Sequence, residues 1–328
     1  MSFISFNLNY YKQRIEYYEK SALTKNDIYE AKQLLKLIDD LIDEGYYELS
    51  DALQKDSCIV DRLKSVIKAA GEEPFNNVVS DKSSAGFNNE EIELSKYIDN
   101  LIIRAKAYTH YSDYSFLTEI KSFCNSIKYD KNCSYIFLLR DTLLPYIFFK
   151  NKLAENIYPY LISRSFLNLI YKNGNVDDIV RAVIIKALEN GHNSFESYFN
   201  YCKREILNNL SVFPKIITVI KDLLSEIKSE KIVVIETGCY GTFPMLLSAL
   251  DERIEFKMYT TVPYLFQIYK NHIFTTAYEN IRLFETLYCQ NNLFQLSDFK
   301  NNRFYVAESE NDAVITKSLQ EIGCFLKK

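Results

Sequence analysis

Tryptophan is absent from this 328-residue chain, and glycine (8), proline (6), methionine (3) and histidine (3) are scarce. Scarce glycine makes each one informative, because glycine is the residue that enters tight turns without steric cost. Two of the eight stand three positions apart, at Gly238 and Gly241. The seven cysteines (58, 124, 133, 202, 239, 289 and 324) are odd in number, and none forms a Cys-x-x-Cys pair. That excludes a zinc ribbon and a disulfide framework, and reads as small buried hydrophobes in a reducing compartment. No apolar run approaches the ~20 residues of a membrane span, and the run Ile136–Phe149 is broken by Arg140-Asp141. The start, Met1 to Asn7, lacks the basic residues and apolar core of a signal peptide. A cytoplasmic protein with no membrane partner is expected.

Charge of one sign is lacking too. The 39 basic and 43 acidic residues are spread evenly, so no basic stripe offers a nucleic-acid footprint. What is abundant is apolar material, at 48% of the chain, which suffices for a core and is too much for a disordered chain. The length predicts about two domains.

Periodicity divides the chain near residue 130. The first part reads as helical. Asn26 or Asp27 caps a pattern through Ile28, Ala31, Leu34, Leu35, Ile38, Leu41 and Ile42, and further helices are expected over 57–69, 90–107 and 114–127. The polar stretches at Gly71–Asn77 and Ser80–Gly86 read as a linker. This N-terminal region carries no chemical motif, and partner binding is its expected role. From residue 131 the pattern changes to apolar strands alternating with helices. Strands are expected at 134–139, 157–162, 231–236, 254–262 and 303–307, with a helical insertion at about 165–229. Asn175 and Ser194 are expected helix caps, and Pro214 begins the last helix of the insertion. Such alternation predicts an α/β domain over 131–328, a mainly parallel sheet with helices on both faces.

Ligands of open α/β sheets gather at the carboxyl ends of the strands. Three expected strands end in polar clusters: Arg140-Asp141, Ser163-Arg164, and Glu236-Thr237-Gly238-Cys239-Tyr240-Gly241-Thr242. In the third, the glycines permit close approach of backbone to a ligand, Thr242 is placed to cap the next helix, and Pro244 suits its first turn. The exposed N–H groups and helix dipole there favour a phosphate. Glu236 would face a sugar hydroxyl or a metal-bound phosphate. No ligand cluster supports a protein-bound metal, so Mg²⁺ would enter only with the phosphate, through Glu236 or Asp141.

The order of a strand ending in Arg-Asp with Leu144-Pro145 following, a strand ending in Ser-Arg, and a strand ending in Glu-Thr-Gly-Cys-Tyr-Gly-Thr resembles phosphoribosyltransferase-like proteins over about residues 130–265. The resemblance implies a loop that cradles phosphoribosyl pyrophosphate. Glu236 matches its second acidic residue, which contacts ribose hydroxyls. Gly241 and Thr242 match its phosphate-cradling end, and Arg140 to Pro145 matches the loop that approaches the pyrophosphate. The sequence departs from that pattern where Ile235 replaces the first acidic residue and Tyr240-Gly241 the Thr-Gly step. A similar order also occurs in haloacid-dehalogenase-like proteins linked to glycosyltransferases, but Arg140-Asp141-Thr142-Leu143 lacks the second aspartate of that phosphatase chemistry. Asp141 and Glu236 are the expected catalytic residues. Arg140, Ser163, Arg164, Thr237, Gly238, Cys239, Tyr240, Gly241 and Thr242 are the expected substrate contacts.

The same loop supports a second reading. Thr237-Gly238-Cys239-Tyr240-Gly241 has the small-x-nucleophile-x-small spacing of a nucleophile elbow. Cys239 near a helix N-terminus would favour the thiolate of a hydrolase or amidotransferase-like enzyme, with His272 as the base. A third reading makes the chain a non-catalytic module whose loop senses a ligand.

Overall fold

A computed structural model describes residues 11–12, 15–20, 23, 28, 31–32, 35, 57–71, 87–88, 90–108, 115–139, 142–152, 154–172, 176–192, 194–237, 241–260, 273–275 and 293–327. The expected linker at 72–86, the Asn26/Asp27 and Asn175 caps and the charged stretch at 278–285 lie outside the described residues.

The chain divides into two compact units. The first comprises residues 1–83, 184–198 and 263–268. Its described residues include a helix α1 (Ser57–Ala69), whose Ile59, Leu63, Val66 and Ile67 are buried at helical spacing. Arg62 of α1 grips Glu19 with two guanidinium bonds, and the arginine holds the Glu19 carboxyl below the usual range.

The second unit comprises residues 84–183, 199–262 and 269–328. In chain order its regular elements are β1 (Ile92–Glu93), α2 (Leu94–Lys106), α3 (Ser115–Ser126), β2 (Ser134–Leu138), α4 (Leu143–Asn151), β3 (Ile157–Tyr160) and α5 (Arg164–Ile170). The helix α6 (Val176–Asn190) and the helix α7 (Phe195–Leu210) each run across a boundary between the units, and α8 (Pro214–Ser225) follows. The order is completed by β4 (Ile232–Thr237), α9 (Thr242–Leu250), β5 (Ile254–Thr260), β6 (Ile273–Thr275), β7 (Phe294–Lys300), β8 (Arg303–Glu308) and α10 (Asp312–Lys327). The helices at 57–69, 94–106 and 115–126 fall where periodicity predicts them. Ser194 caps α7 through the Ser197 N–H (3.1 Å), and Pro214 stands in the first turn of α8.

Five strands form an all-parallel sheet in the order β3-β2-β4-β5-β6. Numbered within the sheet this order is 2-1-3-4-5, one of the two common doubly wound arrangements. Every residue of β2 and β4 is buried, which is why both are continuous apolar runs rather than alternating ones. Helices cover both faces. Phe137 of β2 packs on Tyr146 and Phe149 of α4 (5.6 and 5.5 Å between ring centres), and Tyr259 of β5 packs on Phe123 of α3. On the opposite face Phe256 of β5 meets Phe199 of α7.

The strand at 303–307 does not join this sheet. It is β8 of a separate antiparallel sheet, ordered β1-β8-β7. A two-residue turn, Asn301-Asn302, closes the β7-β8 hairpin, with φ of 53° and 56°. Positive φ at both central residues is the turn whose twist matches a hairpin, and asparagine tolerates it best after glycine. Counting 303–307 with the strands of the mainly parallel sheet overlooks this signal.

Candidate functional site

Chain direction reverses at β2. From β2 the chain crosses over α4 to β3 on one side, then returns to lay β4 on the other side and continues through α9 to β5. The β2/β4 junction is therefore the topological switch point, and in open α/β sheets ligands bind outside the carboxyl ends of the strands at such a point.

Strand alternation sorts the residues at this point. Glu236 pairs in register with Met258, and Thr237 with Tyr259. Registered partners of parallel strands share a face. Glu236 thus lies on the α7 face with Phe256 and Met258, and Thr237 on the α3/α4 face with Tyr135, Phe137 and Tyr259. Glu236 is 9% exposed and Thr237 3%.

Gly241 carries the turn into α9. Its φ of 69° and ψ of 30° are left-handed, and it is the N-cap, its carbonyl accepting from the Met245 N–H at 3.0 Å. Thr242 is consequently the first helical residue and not the cap that its residue type predicts, because only glycine enters that conformation cheaply. A Cβ at Gly241 would stand 2.8 Å from Met258 Sδ and 3.9 Å from Glu236 Oε2. Gly241 therefore lies beside the Met258 sulfur and the Glu236 carboxylate.

The two helices that start at the switch point share one construction. Neither N-cap, Thr142 for α4 or Gly241 for α9, makes a side-chain capping bond. Both helices carry proline at their third position, Pro145 and Pro244. The N–H groups of Leu143 and Leu144, and of Thr242 and Phe243, thus have no intrahelical acceptor, and proline removes the third donor. Each end presents backbone donors and a positive dipole end to whatever enters the crevice.

Ser163 and Arg164 have local roles. The Ser163 hydroxyl accepts from the Phe166 N–H (3.4 Å) and its carbonyl from the Leu167 N–H, so it caps the seven-residue α5. Arg164 donates through Nε to Asp177, whose carboxylate is 5% exposed. Arg140, Asp141, Gly238, Cys239 and Tyr240 lie outside the described residues, as does His272. The structure thus brings Glu236, Thr237, Gly241 and Thr242 together at the switch point and assigns Ser163 and Arg164 local partners.

Three residues at or near the site escape a reading of strand ends alone. Met258 is found only through register, and Asp177 only through its pairing with Arg164. Thr142 carries a signal in the sequence, the matched spacing of Thr142 to Pro145 and of Gly241 to Pro244. Among the described cysteines, 124, 133, 202 and 324 are buried and in no disulfide. Burial pushes the Cys124 and Cys133 thiols up, which makes both inert.

Elsewhere in the second unit a cleft of about 720 Å³ opens between α2, β8 and α10. Its lining mixes Arg104 with Glu308, Glu310 and Asp312, and Arg104 already donates to Glu308 at 2.6 Å. The side chains of that cleft are acidic on balance, and its one arginine is already paired, so it offers an anion little. Among the described residues no group of three His, Cys, Asp or Glu is placed to hold a metal, and no helix is long and apolar enough to cross a membrane. Compared with known proteins, the chain matches no family model, no curated protein and no solved structure.

Proposed function

We propose that the switch point binds a phosphorylated ribose or nucleotide, with phosphoribosyl transfer or cleavage at the glycosidic or phosphate bond as its reaction class. The observation that carries this reading is a mixed demand within one crevice. Two uncapped helix ends ask for an anion, while the mostly buried Glu236 beside Gly241 repels one and accepts hydroxyl protons. A ligand carrying both a phosphate and free hydroxyls meets both demands, and a bare anion meets only one. The resemblance of the 236–242 loop to phosphoribosyltransferase-like loops supports the same ligand class. Mg²⁺ would accompany the phosphate and ease its repulsion from Glu236. On this reading the protein works in the cytoplasm, and its N-terminal helices serve a protein partner.

The test is a thermal-shift series with phosphoribosyl pyrophosphate, nucleotides and sugar phosphates, with and without Mg²⁺. A ligand at a hundred times its Kd stabilises by about 2.7 kcal/mol, an easily measured rise in Tm. Glu236→Gln should weaken sugar-bearing ligands about tenfold to a hundredfold, as expected for losing a charge-assisted hydrogen bond of ~1.5–3 kcal/mol, and should leave inorganic phosphate binding undiminished or tighter, since a repelling charge is removed. Silence toward every phosphorylated compound would sink the proposal.

A further inference from the structure

Two buried hydroxyls at the switch point, those of Thr142 and Thr237, find no hydrogen-bond partner among the described residues. Thr142 is 0% exposed and Thr237 3%. Buried hydroxyls of folded proteins are nearly always paired, because leaving one unpaired is costly. For Thr142 the sequence removes one of the two usual partners. An N-cap threonine ordinarily accepts from the N–H of the second or third helical residue. The third residue of α4 is Pro145, which has no N–H, and Thr142 makes no side-chain capping bond.

Both hydroxyls belong to the same side of the sheet. Thr142 is the N-cap of α4, and Thr237 alternates onto the face whose aromatic residues, Tyr135 and Phe137, pack against α4. Glu236 and the Gly241 turn belong to the opposite face. β2 and β4 run parallel in adjacent positions, with Phe137 beside Ile235, so Thr237 at the carboxyl end of β4 and the start of α4 after β2 lie at the same end of the sheet.

We propose that the Thr142 and Thr237 hydroxyls, together with the Leu143 and Leu144 N–H groups, form an oxyanion subsite that holds a phosphoryl group on the α4 side of the crevice. The subsite rests on the phosphate-binding reading above and deepens it. The phosphoryl group docks at α4, away from Glu236, and the hydroxyl-bearing part of the ligand turns toward Glu236. Hydroxyls left unpaired in the free protein become donors to a phosphoryl oxygen, so their cost in the free protein is recovered only on binding.

The experiment uses the full chain and inorganic phosphate as probe, with chloride at matched ionic strength as control. Thr142→Val and Thr237→Val remove each hydroxyl with little change of shape, and Thr142→Ser retains it. In the free protein each valine variant should melt about 2–4 °C higher, as expected when an unsatisfied hydroxyl is removed from a unit of this size. The phosphate-induced rise in Tm should then weaken, with affinity falling about tenfold or more, and the serine variant should restore it. A phosphate response equal to wild type in both valine variants overturns the subsite while leaving the wider reading standing. Lower melting of both free valine variants also overturns it, since the hydroxyls would then have partners already. A wild-type chain unmoved by inorganic phosphate and by every phosphorylated compound brings down both proposals together.

Discussion

Gly241 and Glu236 show how much one backbone angle decides. At φ of 69° Gly241 delivers its carbonyl to the start of α9 and itself lies against Met258 and Glu236. Alanine there meets two costs. The left-handed conformation costs an L-residue about 1–2 kcal/mol, and the added Cβ stands 2.8 Å from Met258 Sδ. The sulfur belongs to a flexible side chain that can yield, so the backbone cost dominates. Gly241→Ala should therefore lower stability by about 1–2 kcal/mol, read as a lower urea midpoint at unchanged slope. An unchanged midpoint would mean that the turn relaxes to another conformation. The residue types at 236–242 identify this loop from sequence, but they misplace the cap by one position. Threonine is the better cap by composition, whereas the strand-to-helix angle requires the one residue without a Cβ.

Among the elements, α10 is held by a glycine that no turn explains. Gly323 lies in the interior of the helix, where a Cβ would meet the Ala105 carbonyl of α2 at 2.6 Å. Two opposing effects decide the outcome of Gly323→Ala. Helix propensity favours alanine by about 1 kcal/mol, and overpacking against backbone, which cannot rotate away, costs about 1–3 kcal/mol. The clash should win, with net destabilisation of roughly 1 kcal/mol in equilibrium unfolding. A stabilised variant would show that α10 can move off α2 at no cost. Lys327 completes the contact by donating to the Tyr108 carbonyl (2.6 Å) just beyond the end of α2. Periodicity locates the helices at 57–69, 94–106 and 115–126 because each buries one stripe. It leaves β6, β7 and α10 unassigned, since short strands and a terminal helix are fixed by pairing and docking rather than by local pattern.

Across the whole second unit, the amino-terminal end of the parallel sheet, opposite the switch point, is fastened by Arg253. Its guanidinium donates to the Leu224, Ile227 and Ser229 carbonyls around the end of α8 and to both Asp251 oxygens. Burial pushes the Asp251 carboxyl up, but the Arg253 and backbone hydrogen bonds outweigh it and leave it below the ordinary range. A carboxyl depressed in the folded state stabilises above its unfolded pKa of about 3.9, and the contribution is lost as pH falls through the folded value. Wild type should therefore exceed Asp251→Asn in stability at pH 6, and the gap should close below about pH 4. A gap independent of pH would assign the effect to packing. Arg253→Ala should cost on the order of 2 kcal/mol at neutral pH, from the loss of charge-assisted bonds.

Apolar runs without polar breaks identify β2 and β4 as buried strands, and the polar residues that end them identify where a ligand would enter, because both follow from local chemistry. The sequence also contains the matched prolines of α4 and α9, which withhold a donor wherever the chain folds. Strand order was decided only in three dimensions. Nothing local states that β4 returns to lie beside β2, yet that step creates the switch point and sets the carboxyl end of β4 beside that of β2. The face on which each side chain falls was likewise decided by register, which separates Glu236 from Thr237 and groups Thr237 with Phe137 and Tyr259. A carboxylate and a hydroxyl adjacent in sequence thus face opposite sides of one sheet, because successive residues of a strand must alternate.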